Sequence, residues 1–203
     1  MKGKAVRLED IQARVAAGYA KAVAMLGVQG AQYRPVDALA PMENTYATPL
    51  LAFDVEARFG FAKPLGWGVP TEYVLMDTSD VSVGDILVCG DNRYFIARAE
   101  AMRPPLCVVC NHVVSVWGVT GTSTQIVADC PAAILLKARG ESANSGMPGS
   151  TKPGQFTMYL PSLPRVALLP YMSVMTDLGV SYTINSVEAS RFGFRCAISM
   201  QQV

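Results

Sequence analysis

Apolar side chains recur at Leu8, Ile11, Val15, Tyr19, Ala22, Val23 and Leu26, with Gln12, Arg14 and Lys21 between them. Spacings of three and four predict one amphipathic helix over 8–26. Frequent alanine favours it, and Gly27 stands where a C-terminal cap is expected. Gly18 weakens it by about 1 kcal/mol relative to alanine. From Arg34 the pattern changes. Pro35, Pro41, Pro49, Pro64 and Pro70 rule out a long helix. Residues 35–48 read as an extended arm, and 50–59 fit either a short helix or a strand.

From Thr71 the period shortens to that of strands. Apolar runs at 73–76, 83–89 and 93–99 predict strands, the last two joined as a hairpin across Gly90-Asp91-Asn92. Residues 106–119 hold one long strand or a strand pair, and 121–124 a turn. Further strands are expected at 132–138, 156–160, 166–169, 180–187 and 192–200. The small, polar, Pro/Gly-rich stretch 140–154 reads as an exposed mobile loop.

The chain also echoes itself. Tyr94 aligns with Tyr182, Ile96 with Ile184 and Glu100 with Glu188 at one offset, and Cys107 matches Cys196 after a one-residue insertion. Each copy reads as a turn, a strand containing Tyr-x-Ile, an acidic residue, a break and a closing strand. The expected fold is therefore mainly β: an N-terminal amphipathic helix and extended arm (1–43), then two small β-barrel or β-sandwich units (44–128 and 129–203). Units that short bury a small fraction of their surface, so each needs a neighbour.

Composition sharpens this. Charged residues make up 16% of the 203, against roughly 25% in ordinary soluble domains. Seventeen basic and sixteen acidic side chains leave a net charge of +1, which disfavours a general nucleic-acid binder or a membrane-surface protein. The longest uncharged stretch, 104–128, contains two prolines, Asn111 and His112, so no apolar helix of about 20 residues passes through it. The opening residues lack the apolar core of a secretion signal. Permanent interfaces are depleted of charge, so the scarcity reads as contact with neighbouring copies in an assembly. A basic segment, 1–34, precedes an acidic one, 35–110, an asymmetry that suits head-to-tail order.

Candidate chemistry is sparse. The five cysteines, odd in number and irregular in spacing, are expected as free thiols. His112 is the single histidine, so a Cys/His nucleophile would have to be Cys110 with His112, and no Gly-x-Ser-x-Gly elbow accompanies them. Cys107-x-x-Cys110 with His112 is half of a zinc site, but on a strand the two cysteines face opposite sides. No phosphate loop or dinucleotide fingerprint is present. Arg93, Arg98 and Arg103 along one hairpin could touch a phosphate backbone, with a solvated face or contacts to a neighbour as the plainer reading. No catalytic residue, metal or cofactor is assigned, and the chain reads as a non-enzyme.

The run Val83-Gly84-Asp85-Ile86-Leu87-Val88, then Arg93-Tyr94-Phe95-Ile96-Ala97 with Glu100, and the strand after Pro104-Pro105 resemble a hairpin of small β-barrel head–tail connector proteins of tailed bacteriophages, the stopper, neck or collar proteins below the portal. The resemblance covers 8–119 and reaches the second half only through the internal echo. It implies a virion subunit assembled in the host cytoplasm, forming a ring of six or twelve copies. Such a ring contacts the portal or adjacent neck and tail proteins and surrounds the channel DNA without reading its sequence. The alternatives are a tail terminator, a minor capsid or decoration protein, and, further off, a thiol- or zinc-dependent enzyme. Ile11, Val15, Tyr19, Tyr33, Arg34, Arg93, Arg98 and Arg103 are the candidate interface residues.

Overall fold

In a computed structural model, residues 7–53, 70–119, 124–136 and 155–201 are described. The expected helix is α1, Leu8–Leu26. Glu9 and Asp10 sit in its first turn, where the helix dipole favours negative charge. Of its described side chains only Val23 is fully buried. Gly27 ends it differently from expectation. Its backbone is extended (φ −81°) rather than left-handed, and its N–H donates to Val23 O at 2.7 Å. Glycine is needed there for space, because a Cβ would fall 2.6 Å from Val23 O.

Fourteen strands follow among the described residues. Strands β1 (Val28–Gln29), β2 (Ala31–Tyr33), β3 (Thr45–Ala47), β4 (Leu50–Phe53), β5 (Thr71–Met76), β6 (Ile86–Cys89), β7 (Asn92–Arg98) and β8 (Leu106–Cys110) form one curled sheet in the order β1-β4-β5-β8-β7-β6-β2-β3. Strands β9 (His112–Val119), β10 (Gln125–Leu136), β11 (Gln155–Leu160), β12 (Met172–Thr176), β13 (Ser181–Ser190) and β14 (Gly193–Met200) close a barrel in the order β10-β11-β14-β13-β12-β9. The mainly β fold with an N-terminal helix is as the sequence pattern implies.

The run 106–119 is a strand pair broken at Asn111, and there the chain leaves the sheet for the barrel. The Asn111 side chain continues the ladder across the break. Its Nδ2 donates to Ile134 O at 2.9 Å and its Oδ1 accepts from Ile134 N at 2.8 Å. Residues 50–53 are strand, and 54–59 lie outside the described residues, as do most of the 121–124 turn and the 140–154 loop. The strand expected at 166–169 does not form, because Pro164 and Pro170 bracket it without donors. Leu168 instead plugs the barrel, and pairing resumes at β12.

Both halves of the internal echo occupy the same place in a three-stranded meander, β6-β7-β8 and β12-β13-β14. Tyr94 and Tyr182 are each 6% exposed, and Ile96, Ile184, Cys107 and Cys196 are fully buried. Tyr94 stacks on Phe53 and Tyr182 meets Phe156 edge-on.

The sheet packs one face on the barrel. Ile86, Phe95, Ala97 and Val108 from the sheet meet Ala133 of β10 and Tyr159 of β11. Two glycines with positive φ clamp the segment after β11 between the two units. A Cβ on Gly84 would lie 2.4 Å from Ser162 O, and one on Gly193 would lie 2.3 Å from Leu160 O.

The arm does not project. Ala38 is buried in the barrel core, its carbonyl accepts from Ala128 N at 3.0 Å, and Met42 packs between the units. Position 38 packs where β10 is irregular between Val127 and Cys130, so 34–44 ties β2 to β3 by way of the barrel.

Candidate functional site

The candidate interface residues divide into three groups. Arg34 and Tyr33 face into their own chain. Tyr33 packs beside Ile86 and Phe95. Arg34 grips Asp85, Nε to Oδ1 and Nη2 to Oδ2 at 2.9 Å each, reaches Asp80 Oδ1 at 3.1 Å, and lies 3.9 Å over the Tyr46 ring. Asp85 is 1% exposed, and it also accepts from Gln32 Nε2 at 2.7 Å and from Ser82 N at 2.9 Å. Hydrogen bonds to Asp85, then to Asp80, raise the Arg34 guanidinium further above its ordinary range. The Tyr46 hydroxyl donates to Asp80, which lowers the Asp80 carboxyl, with Arg34 adding to the effect, and raises the phenol. So the Gly84-Asp85 motif is a joint that pins β2 and the edge strand β3 to the hairpin.

Val15 and Tyr19 belong to a second group. They line a groove of about 600 Å³ between α1 and residues 76–81 and 99–105. Tyr19 OH donates across it to Met102 O at 3.2 Å, while Ile11 is 39% exposed. The arginines form the third group and make no continuous cationic stripe. Arg98 and Arg103 both bind Glu100, at 3.4 and 3.6 Å, and Arg93 stands apart on the exposed start of β7.

The thiols are dispersed. Cys107 lies in the core inside the curled sheet, and Cys110 on the opposite face toward the barrel, as the strand period requires. Burial pushes Cys107, Cys110 and Cys130 well up, and Cys196 up to about 12. A thiol held protonated is a poor nucleophile and a poor metal ligand. His112 Nδ1 sits 3.3 Å from Asp177 Oδ1, at the turn between β12 and β13. Among the described residues no group of three or more His, Cys, Asp or Glu is placed to hold a metal ion. No described helix is long and apolar enough to cross a membrane.

One surface escaped the sequence reading. In a barrel of this strand order, β12 and β13 lie opposite β11 and β10, the strands that meet the sheet. Residues flanking the buried inward positions point outward. The register aligns Trp117, Ser173, Thr183, Ser199 and Gln155 in one row across five strands. Ser115, Met175 and Ser181 make a second row. Gln201 Nε2 donates to Thr183 Oγ1 at 2.9 Å and to Ser173 Oγ at 3.2 Å, and Ser199 Oγ donates to Asn185 Oδ1 at 3.3 Å. No charged residue occurs in 112–119, 172–176, 181–187 or 196–200. Asp129, bonded to Ser115, borders the wall, and the Glu188–Arg195 pair lies at its far end. The available signal was the alternation Ser-Tyr-Thr-Ile-Asn in 181–185, hydroxyl or amide outward and apolar inward. Compared with known proteins, the chain matches no family model, no curated protein and no solved structure.

Proposed function

We propose that this chain is a structural subunit of a tailed-phage virion, forming an oligomeric ring in the neck that joins the head to the tail around the DNA channel. The observation that carries the reading is how much apolar surface one copy leaves in water while carrying so little charge. Met25 is 86% exposed, Leu178 72%, Tyr171 70% and Leu136 68%, in a chain with 16% charged residues. A protein that worked alone would be expected to hold more charge on such a surface. The hairpin that carries the connector resemblance supports the same reading. Its Gly-Asp turn is spent on internal architecture, joining β2 and β3 to the hairpin and the sheet to the segment after β11, as a load-transmitting subunit needs. The outer sides of β1 and β3 are sheet edges within the described strands, and edges add strands from neighbours readily.

Negative-stain images of the purified protein test this. Rings of six or twelve copies, with a central channel wide enough for duplex DNA, are expected. A single sedimenting species of monomer mass up to high protein concentration refutes the reading.

A further inference from the structure

Independently of the subunit reading, we infer that the outward face of β4 and β5 is a docking surface for an apolar three-stranded meander on a partner protein's barrel, and that α1 is the cap that closes it. The molecule already contains one contact of this kind, between its own two units.

The curled sheet returns on itself and shares the plan of the barrel. Gly30 N–H donates to Pro49 O at 2.9 Å, between the β1–β4 and β2–β3 pairs. So β1 and β2 are one bent strand, β3 and β4 are the next, and the pairing of β2 with β6 closes the ring of strands. In both units the first strand lies beside the second and fourth, and the third beside the second and sixth. The fifth lies between the fourth and sixth. Even the irregularities coincide. The fifth and sixth strands slip register between Ile96 and Arg98 in one unit and between Ile184 and Ser186 in the other. With Tyr94 set on Tyr182, the hydrogen-bond register matches residues of one barrel to residues of the other.

The two barrels dock head to tail. The first presents Tyr33, Ile86, Phe95 and Val108, and the second receives them on Ala133 of β10 and Tyr159 of β11. On the second barrel the counterparts of the presenting residues are Trp117, Ser173, Thr183 and Ser199. The uncharged row is thus the presenting face with Ile, Phe and Val replaced by hydroxyls. On the first barrel the counterparts of the receiving residues are Ala52 and Leu75, and these stay apolar. There α1 lies against β4 and β5, and Ala52 is 6% exposed. A helix therefore stands on the first barrel where the first barrel stands on the second. Stacked repeats need end units with polar outer faces to stay soluble. The second barrel meets that need with hydroxyls, the first with a helix. The helix seals loosely: of its described side chains only Val23 is fully buried, and a groove of about 600 Å³ remains under Gln12 to Ala20. What fits this face once α1 lifts is what fits its counterpart in the same molecule, a meander carrying Ile, Phe and Val, whose burial drives the contact.

The probe is the full chain with Ser173→Ile, Thr183→Phe and Ser199→Val, which restores the presenting set on its wall. It is tethered by its N terminus for surface plasmon resonance. The analytes are the native chain, the chain without residues 1–26, and that shortened chain with Ala52→Lys, each at concentrations where it sediments as a monomer. Circular dichroism checks that each is folded. A full-length chain with Tyr19→Phe and Val23→Ala, which loosens α1 in place, is run beside them and carries the test if the shortened chain does not fold. The shortened chain is expected to bind the probe about a hundredfold more tightly than the native chain, and the loosened chain about tenfold more tightly. Ala52→Lys in either is expected to abolish binding, because it buries a charge without a partner. Equal binding of native and uncapped chains, or binding by none, overturns the inference. Binding that survives Ala52→Lys, or that is as strong to a tethered chain with its native wall, is general stickiness and overturns it too. Ring formation is not read in this assay, so the subunit reading stands or falls separately.

Discussion

Asp85 gives the sharpest test of how this fold is held. It is 1% exposed and accepts four hydrogen bonds, from Gln32 Nε2, Arg34 Nε, Arg34 Nη2 and Ser82 N, all between 2.7 and 2.9 Å. Gln32 is fully buried and its Oε1 already has no partner, so its amide cannot turn elsewhere without loss. Asp85→Ala leaves the Gln32 amide with the Asp80 carbonyl alone, at 3.0 Å, frees the Ser82 N–H and leaves Arg34 with Asp80 and the Tyr46 ring. Breaking one side of a buried ion pair costs 3–5 kcal/mol in general. Because the Arg34 side chain is 28% exposed and partly hydrated, about 3 kcal/mol is expected here. Arg34→Met leaves the Asp85 carboxylate buried with two neutral donors and costs a similar amount. The double variant loses less than the sum, by about 2 kcal/mol, because each single change strands the same pair. Urea unfolding at pH 7, followed by far-ultraviolet dichroism for the wild type and three variants, measures the cycle. Asp80→Ala serves as the control, since that carboxylate is 62% exposed and surface pairs contribute little. A coupling below about 0.5 kcal/mol, or Asp85→Ala as mild as Asp80→Ala, refutes the view that this motif is a buried joint.

Two further outcomes follow from the same geometry. Burial raises the Cys107, Cys110, Cys130 and Cys196 thiols, so above the unfolded thiol range the unfolded chain releases protons that the folded chain keeps, and stability falls as pH rises. The loss begins near pH 9 and continues to about 12 for Cys196, at about 1.4 kcal/mol per thiol per pH unit, or roughly 6 kcal/mol for the four at pH 10. Urea midpoints measured from pH 7 to 10 check it, and a flat profile contradicts the burial. Asn111→Asp retains an acceptor for Ile134 N but turns a carboxylate toward Ile134 O. It is expected to cost about 2–3 kcal/mol in thermal unfolding, while an unchanged melting temperature shows that the amide bridge is dispensable.

Local pattern alone determined a good part of this protein. The helix over 8–26 is legible because seven apolar positions share one face, and the β6–β7 hairpin because Gly-Asp-Asn interrupts two apolar runs. The echo between Tyr94, Ile96, Cys107 and Tyr182, Ile184, Cys196 marked buried positions in two meanders, since a strand that faces one core must alternate wherever it lies. Tertiary structure decided the rest. Whether 106–119 is one strand or two depended on where Asn111 found partners, and those lie in β10, 23 residues away. The arm folded inward because Ala38 packs into the barrel core beside Ala128, which no periodicity announces. Arg34 looked like a surface cation until Asp85, 51 residues on, was brought against it. The uncharged wall was invisible for the same reason. Each strand contributes only two or three of its residues, and their common blankness exists only once hydrogen-bond register sets Trp117, Ser173, Thr183 and Ser199 side by side.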